Sequence, residues 1–333
     1  MARSGRIHGL PTIADLLDAR NVVRRYHPRT PLYLSPALSN GAGCEIYIKY
    51  ENHSPVRSFK SRGALYGLSR LLPEERAAGV VTASTGNHGQ AVAYAGGVLG
   101  IRSTVVVPPG TSSIKCEAIR SFGGDLRFSG RDLAEAAQHA QQLAADERKV
   151  YIEDGNDGGV MAGAASLAWE VVEDLPDVSV VVAPVGGGNL IAAISLVVKR
   201  INPQVQIVGV QSDAAPAVAR SWEASRIIAV PCQTSAEGLA TSFPGELAFQ
   251  VIEDGIDKML LVSEDDLRRN MRTALRTTGQ VVEAAGAAPF AALEKIGSEW
   301  RGSKVVLILS GGNLAISDLR TLLTEAECPR CGR

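Results

Sequence analysis

Residues 178–190, VSVVVAPVGGGNL, join an unbroken apolar run to three consecutive glycines. An apolar run without alternation predicts a strand buried on both faces of a parallel sheet. The glycines let backbone N–H groups converge where a helix begins, which favours an anion site, most naturally for phosphate, over a simple tight turn. Neither the spacing GxGxxG nor the Lys-Ser/Thr of a P-loop is present. The stretch therefore favours a small phosphorylated cofactor over a nucleotide.

Similar apolar runs recur along the chain and alternate with alanine-rich helical stretches. The alternation predicts an α/β protein with doubly wound parallel sheets. The predicted strands are residues 46–50, 79–83, 103–108, 125–128, 178–184, 206–211 and 304–309. The predicted helices include residues 89–99, 133–146, 163–174 and 190–201, and a further helix that begins at Ser263.

The composition of the 333 residues excludes several classes of protein. Lys and Arg number 34 against 35 Asp and Glu, a net charge of −1, so the basic face of a nucleic-acid binder is not expected. The 34 glycines and few aromatic residues are typical of α/β layers whose loops approach a ligand closely. No apolar run reaches the ~18 residues of a membrane span, and no signal peptide is visible. We expect a cytoplasmic protein.

The cysteines give no sign of a chemical role. Their number, five, is odd, so a disulfide framework is not expected. Cys328 and Cys331 form one C-x-x-C pair, and a zinc ribbon needs a second pair. We predict no metal site.

Three more polar clusters follow predicted strands, at the edge where parallel sheets bind ligands. Residues 83–89, ASTGNHG, combine hydroxyl groups with a helix start that can hold a carboxylate. Residues 310–313, SGGN, can approach the edge of a planar ligand. Residues 58–64, SFKSRGA, place Lys60 in the first turn of a helix that Ser58 would cap. Because that position disfavours a cation, Lys60 is either a neutral nucleophile or a solvated surface lysine.

Taken together, these motifs resemble the fold-type II pyridoxal-phosphate (PLP) enzymes of the tryptophan synthase β-like superfamily, and within them the serine/threonine dehydratase and serine racemase group. The resemblance covers residues 20 to 325 approximately. It is carried by EN-x4-RSFK-x-RGA at 51–64, ASTGNHGQ at 83–90, PVGGGNL at 184–190, EG at 237–238, VEAAGA at 282–287 and SGGN at 310–313.

The resemblance implies a role for each motif. Lys60 would form the Schiff base with PLP and act as the base at the substrate α-carbon, and Thr85 would be a second catalytic residue. The resemblance implies cofactor binding by Phe59, Lys60, Asn87, Gly186, Gly187, Gly188, Asn189, Gly238, Glu283, Ser310 and Gly311. It implies substrate binding by Ser84, Thr85, Gly86, Asn87 and His88.

The resemblance also implies two α/β domains with PLP in the cleft between them. Residues 1–71 and 150–333 would form the large domain, and residues 72–149 a small mobile domain that closes over the substrate. A homodimer is expected by analogy. The chain departs from the group at Asn189, where a fourth glycine is common, at Ala284, where a proline is usual, and at three further positions. Arg57 replaces a glycine, and its side chain would either bind a second carboxylate group of the substrate or face solvent. Thr85 stands where the racemases often have serine. Gln211 replaces a glutamate ligand of Mg²⁺.

The function that this resemblance implies is ammonia-lyase activity on a β-hydroxy amino acid, L-threonine or L-serine. The alternatives are an amino-acid racemase, a lyase for 3-hydroxyaspartate or phenylserine, and a β- or γ-replacement enzyme of the threonine synthase type. A nicotinamide-dependent oxidoreductase is disfavoured by the missing GxGxxG. A non-catalytic amino-acid-binding relative is disfavoured by the presence of Lys60.

Overall fold

A computed structural model describes residues 5–324, so Cys328 and Cys331 lie outside the described residues. The strands are β1 (Leu32–Leu34), β2 (Glu45–Tyr50), β3 (Val80–Ala83), β4 (Ser103–Val107), β5 (Asp125–Phe128), β6 (Val150–Tyr151), β7 (Val180–Pro184), β8 (Gln206–Ser212), β9 (Lys258–Val262) and β10 (Lys304–Leu309).

The helices enclose the strands. They are α1 (Ile13–Tyr26), α2 (Pro36–Ser39), α3 (Lys60–Ser69), α4 (Pro73–Ala78), α5 (Asn87–Leu99), α6 (Ser113–Ser121), α7 (Leu133–Asp146), α8 (Gly158–Ala164), α9 (Ser166–Asp174), α10 (Asn189–Ile201), α11 (Ala217–Glu223), α12 (Glu246–Gly255), α13 (Glu264–Thr278), α14 (Ala284–Ile296) and α15 (Ile316–Thr324). Short 3₁₀ turns occupy Glu51–His53, Glu237–Leu239 and Gly297–Trp300.

The larger sheet has six strands in the order β1-β2-β10-β7-β8-β9, and β1 alone runs antiparallel to its neighbour. Its central strands are buried on both faces, as their unbroken apolar runs predict. In β7, Val181 belongs to the core beneath α10 and Val182 to the core beneath α14. Successive side chains of a strand point to opposite faces, so each face needs its own helical layer.

The smaller sheet has four parallel strands in the order β5-β4-β3-β6. Strand β6, Val150–Tyr151, pairs with β3 and so belongs to this sheet. It directly follows residue 149, the predicted end of the small domain. The division into domains at residues 72–149 stays a prediction.

Every predicted strand is present with small shifts at its ends, and the fold class is α/β as expected. Strands β1 and β6 were missed because they have only three and two residues, and the five-residue edge strand β9 was missed as well. The helix predicted at 163–174 is two helices, α8 and α9. Helix α13 begins after Ser263 as predicted, with a capping box between Ser263 and Asp266.

The cap predicted for α3 was wrong. Phe59 occupies the cap position without a side-chain bond, while Ser58 forms a bridge with Gly311 that ties the start of α3 to the end of β10. In the part of the chain that the structure describes, no helix combines the length and apolarity needed to cross a membrane.

Candidate active site

The sequence motifs meet in a cavity of about 610 Å³ between the two sheets. The cavity is lined by nearly all predicted site residues: Phe59, Lys60, Ser84, Thr85, Gly86, Asn87, His88, Gly186, Gly187, Gly188, Asn189, Gly238, Glu283 and Ser310. Gly311 is the exception. It lies behind Glu283, where a Cβ would overlap Glu283 Oε1 at 2.0 Å.

Lys60 is the first residue of α3, and its ammonium group is partly buried in the cavity wall. The ammonium forms an ion pair with Asp154 and lies 4.7 Å from the centre of the Phe59 ring. These contacts offset the unfavourable position of a cation at a helix N-terminus. Lys60 is therefore a cavity residue, as the resemblance implies, and not a solvated surface lysine.

The loop between β7 and α10 forms the anion cradle that its glycines predict. Among residues 5–324, the N–H groups of Gly186, Gly187 and Gly188 have no hydrogen-bond acceptor. A Cβ on Gly187 would project into open space, whereas a Cβ on Gly186 would lie 2.5 Å from the carbonyl oxygen of Gly238. Free N–H groups at the start of α10 suit a phosphate.

Helix α5 begins at Asn87 and brings a second set of polar groups to the cavity. The Asn87 amide donates to Glu283 Oε1 at 2.8 Å and accepts from Asn313 Nδ2 at 2.7 Å, which joins the two sheets across the cleft. The next residue, His88, is buried, and its Nε2 lies 3.4 Å from the carbonyl oxygen of Ile152. Burial lowers the pKa of His88, so the ring is neutral near pH 7.

Glu283 closes the far side of the cavity, directly before α14. Burial raises the pKa of Glu283 to about 7; the Asn87 hydrogen bond opposes this rise, and nearby Glu237 adds to it. Glu237 itself forms an ion pair across the cleft with Lys115 on α6. The carboxyl group of Glu283 therefore titrates close to neutral pH.

A buried ion network fixes the helix that carries Lys60. The Arg62 guanidinium donates to both carboxylate oxygens of Glu51, at 2.7 and 2.9 Å, and to both of Glu170, at 2.8 and 2.9 Å. Lys49 Nζ donates to Glu170 at 2.6 Å, so two cations balance two carboxylates. Arg62 is wholly buried. The network anchors the first turn of α3 to β2 and α9.

Sequence reasoning missed several of these groups. Asp154 follows β6 in the polar run EDGNDGG, which is the same signal as the other clusters at strand ends, but the two-residue strand before it carried no pattern. Asn313 and Arg62 lie in motifs that carry the resemblance, but the sequence assigned neither residue a role. The pair of Lys115 and Glu237 joins residues 122 positions apart, and no local pattern reports such a contact.

The cavity fits an anionic cofactor without a basic surface. Helices α3, α5, α6, α10 and α14 all begin at its wall, so their positive dipole ends converge there. Among the described residues, the Ser310 hydroxyl and the glycine N–H groups are free of protein partners, as a planar phosphorylated ligand would require. Such a site, with Lys60 beside the phosphate loop, defines a fold-type II enzyme that uses pyridoxal phosphate.

The chain belongs to the family of pyridoxal-phosphate dependent enzymes, whose model matches residues 23–311. It is 36% identical to an L-threonine ammonia-lyase of Thermotoga maritima, over 94% of this chain and 78% of that one. It is 32% identical to a catabolic L-threonine dehydratase of Staphylococcus aureus, over 92% and 90% of the two chains.

Solved structures place the fold in the same group. Maize serine racemase superposes with a TM-score of 0.89 at 28% identity, over 95% of this chain and 97% of that one. A threonine deaminase of Solanum lycopersicum superposes with a TM-score of 0.89 at 31% identity, over 96% and 90%.

Proposed function

We propose that this enzyme is an ammonia-lyase for a β-hydroxy amino acid, L-threonine or L-serine, which it converts to a 2-oxo acid and ammonia by α,β-elimination. The observation that carries the proposal is the Lys60 amine at the wall of a cavity that has an anion cradle at α10 and a second helix start at α5. The threonine ammonia-lyases among its relatives support the same activity.

Pyridoxal phosphate, when bound, supplies an electron sink that acidifies the α-proton of an attached amino acid. Gly186, Gly187 and Gly188 would hold its phosphate through their free N–H groups, and Ser310 would contact its ring nitrogen. A hydroxyl partner, unlike a carboxylate, does not keep that nitrogen protonated. The ring is then a weaker electron sink, which suits β-elimination more than transamination.

Asn87 retains a second N–H for the 3-oxygen of the ring, since its bond to Glu283 uses one. Residues 84–88 would hold the substrate carboxylate at the start of α5, where the helix dipole favours an anion. Lys60 Nζ would then take the α-proton, and the electron pair of that C–H bond would expel the β-hydroxyl group, which would leave as water with the proton returned by Lys60. Addition of water to the released enamine product would give the 2-oxo acid and ammonia. Thr85 would serve as a proton relay on the opposite face.

The test is a panel of amino acids scored for ammonia and 2-oxo acid with the protein reconstituted with PLP. We expect turnover of L-threonine or L-serine, and its loss in Lys60→Ala. The control is Lys304→Ala, because Lys304 lies at the opposite end of β10 from Ser310 and pairs with exposed Asp177. Amino acids that emerge only as the opposite enantiomer, without ammonia, would instead favour a racemase.

The same panel resolves the role of Arg57. Its side chain is exposed at the cavity, its φ is 55°, and within residues 5–324 its guanidinium has no hydrogen bond or ion pair. A preference for 3-hydroxyaspartate over threonine that Arg57→Asn abolishes would assign Arg57 to the second carboxylate. Asparagine tolerates a positive φ, so this variant removes the charge without new strain. Equal turnover of 3-hydroxyaspartate by the wild type and by Arg57→Asn would show that Arg57 faces solvent and does not bind the substrate.

We also propose a homodimer located in the cytoplasm, in which the segment 72–149 moves as a unit to close the cavity. The cross-cleft bonds of Asn87 and the ion pair between Lys115 and Glu237 are the contacts such a closure would make. Light scattering of the purified protein tests the dimer.

A further inference from the structure

Asp154 lies between two residues that the cofactor would need. Its Oδ2 accepts a hydrogen bond from the Lys60 ammonium, and its Oδ1 accepts one from Asn189 Nδ2 at 3.3 Å. Asn189 is the first residue of α10, so one carboxylate connects the lysine to the phosphate cradle.

The backbone around Asp154 is braced on both sides. The preceding Ile152 donates to Val81 O at 2.9 Å, which extends the smaller sheet. The following Gly155 has a φ of 99° and packs against Gly245, whose N–H donates to Gly187 O at 2.9 Å. The segment that carries Asp154 is thus tied to Val81 of the smaller sheet on one side and to the phosphate loop on the other.

We propose that Asp154 is a positioning residue that holds the Lys60 amine toward the reacting α-carbon whenever that amine is not bonded to the cofactor. The proposal rests on the proposed function, in which the Lys60 amine takes the α-proton and so must be unbonded at that point. Asp154 is the side chain that pairs with the Lys60 ammonium in the cavity wall.

The surroundings keep Asp154 charged for this role. Burial by itself would raise the pKa of Asp154, but the Lys60 ammonium lowers it below its usual value, with a smaller contribution from the Asn189 hydrogen bond. The N-terminus of α10 also favours a carboxylate at this point. A hydrogen bond from Nζ to a fixed carboxylate restricts the rotamers of a long, flexible side chain, which preserves the geometry of proton transfer.

The test is Asp154→Asn, which keeps the shape of the side chain and removes its charge. The first readout is the visible absorbance of the lysine-bound cofactor, which we expect to remain stoichiometric. The second is the exchange of the substrate α-proton in deuterated water, followed by nuclear magnetic resonance. We expect this exchange and kcat to fall about a hundredfold while KM changes little, as for other small displacements of a catalytic group.

An isotope effect separates positioning from a structural role. With an α-deuterated substrate, the kinetic isotope effect on kcat should increase in Asp154→Asn because proton removal becomes rate-limiting. Asp154→Glu, which restores the carboxylate, should recover part of the rate. The control is Glu153→Gln, since Glu153 is the neighbouring exposed acid and bonds only Asn156 among the described residues. It should behave as wild type.

The outcomes are distinct. Exchange within twofold of wild type in Asp154→Asn, or an unchanged isotope effect, overturns the proposal, and so does loss of the bound cofactor, which marks a structural role. Wild-type protein that exchanges α-protons but releases no ammonia contradicts only the proposed elimination, and the exchange assay still tests Asp154. Absence of exchange with every amino acid of the panel overturns both.

Discussion

Glu283 is the cavity residue whose charge depends most directly on pH near neutrality. Burial raises its pKa to about 7 from 4.5, so the carboxyl group holds its proton more tightly in the folded chain than in the unfolded one. Its contribution to stability is therefore complete below about pH 4.5 and is lost as the pH rises through about 7. Its hydrogen bond with Asn87 links this titration to the cross-cleft contact.

Glu283→Gln should remove this dependence, because glutamine keeps an acceptor for Asn87 and does not titrate. We expect the free energy of unfolding of wild type, relative to the variant, to fall by about 1–3 kcal/mol between about pH 5 and about pH 8. Urea unfolding of the cofactor-free proteins at both pH values measures the difference. Parallel pH dependence in the two proteins would contradict the raised pKa.

Residues with a function in a local motif could be predicted from the sequence, whereas their distant partners could not. The glycines at 186–188 were predicted to form an anion site from their position between a strand and a helix. Lys60 was assigned to the site only through the resemblance, because its own segment left a solvated surface lysine open. Asp154 pairs with Lys60 across 94 residues, and only the folded chain brings them together. The helix cap predicted at Ser58 was wrong for a similar reason, because the backbone of Ser58 pairs with Gly311, which is distant in the sequence.

At the scale of the elements, loops around the cavity are held by contacts between small residues. A Cβ on Gly186 would meet the Gly238 carbonyl oxygen, and a Cβ on Gly238 would lie 2.7 Å from the Ala285 Cβ. The glycine-rich composition is thus partly explained by loops packing on one another, and Gly187 alone of these three glycines faces open space.

Gly238→Ala should therefore destabilise the protein by about 1–3 kcal/mol, since the neighbouring backbone must shift to admit one methyl group. Because Gly238 lines the cavity, the single variant should also bind PLP more weakly. The double variant Gly238→Ala/Ala285→Gly should recover most of the stability and most of the affinity for PLP. Thermal or urea unfolding together with PLP titration measures both effects. A double variant as unstable as the single one would show that the contact with Ala285 is not the cause.

Helix α3 depends on charges that the apolar pattern does not reveal. Arg62 lies two residues after Lys60 and is wholly buried between Glu51 and Glu170, and removing one partner leaves the others uncompensated.

Arg62→Met should lower the free energy of unfolding by about 3–5 kcal/mol, the usual effect of breaking a buried ion pair. The matched control is Arg220→Met, because Arg220 pairs with Glu223 on the surface and such pairs contribute about 1 kcal/mol or less. Urea unfolding compares the two variants. A loss for Arg62→Met as small as that of the control would refute the anchoring role.

At the scale of the whole molecule, the parallel strands of both sheets present their carboxyl ends to one cleft. The fold class follows from the unbroken apolar strands, which require helices on both faces. The pairing of β6 with β3 and the antiparallel edge strand β1 were not predictable, because strands of two or three residues have no period to recognise.

The near-neutral net charge of the chain is consistent with a cleft that binds an anion without a basic surface. Helix N-termini and free N–H groups from both halves supply the attraction for an anion, so no excess of basic residues is needed.

The most direct measurement is borohydride reduction of the protein reconstituted with PLP, followed by proteolysis and peptide mass spectrometry. We predict the mass of the reduced cofactor on the peptide that contains Lys60, and no labelled peptide in Lys60→Ala. Incorporation at another lysine, or no stable incorporation in the wild-type protein, would contradict the assignment of this cavity as the pyridoxal-phosphate site.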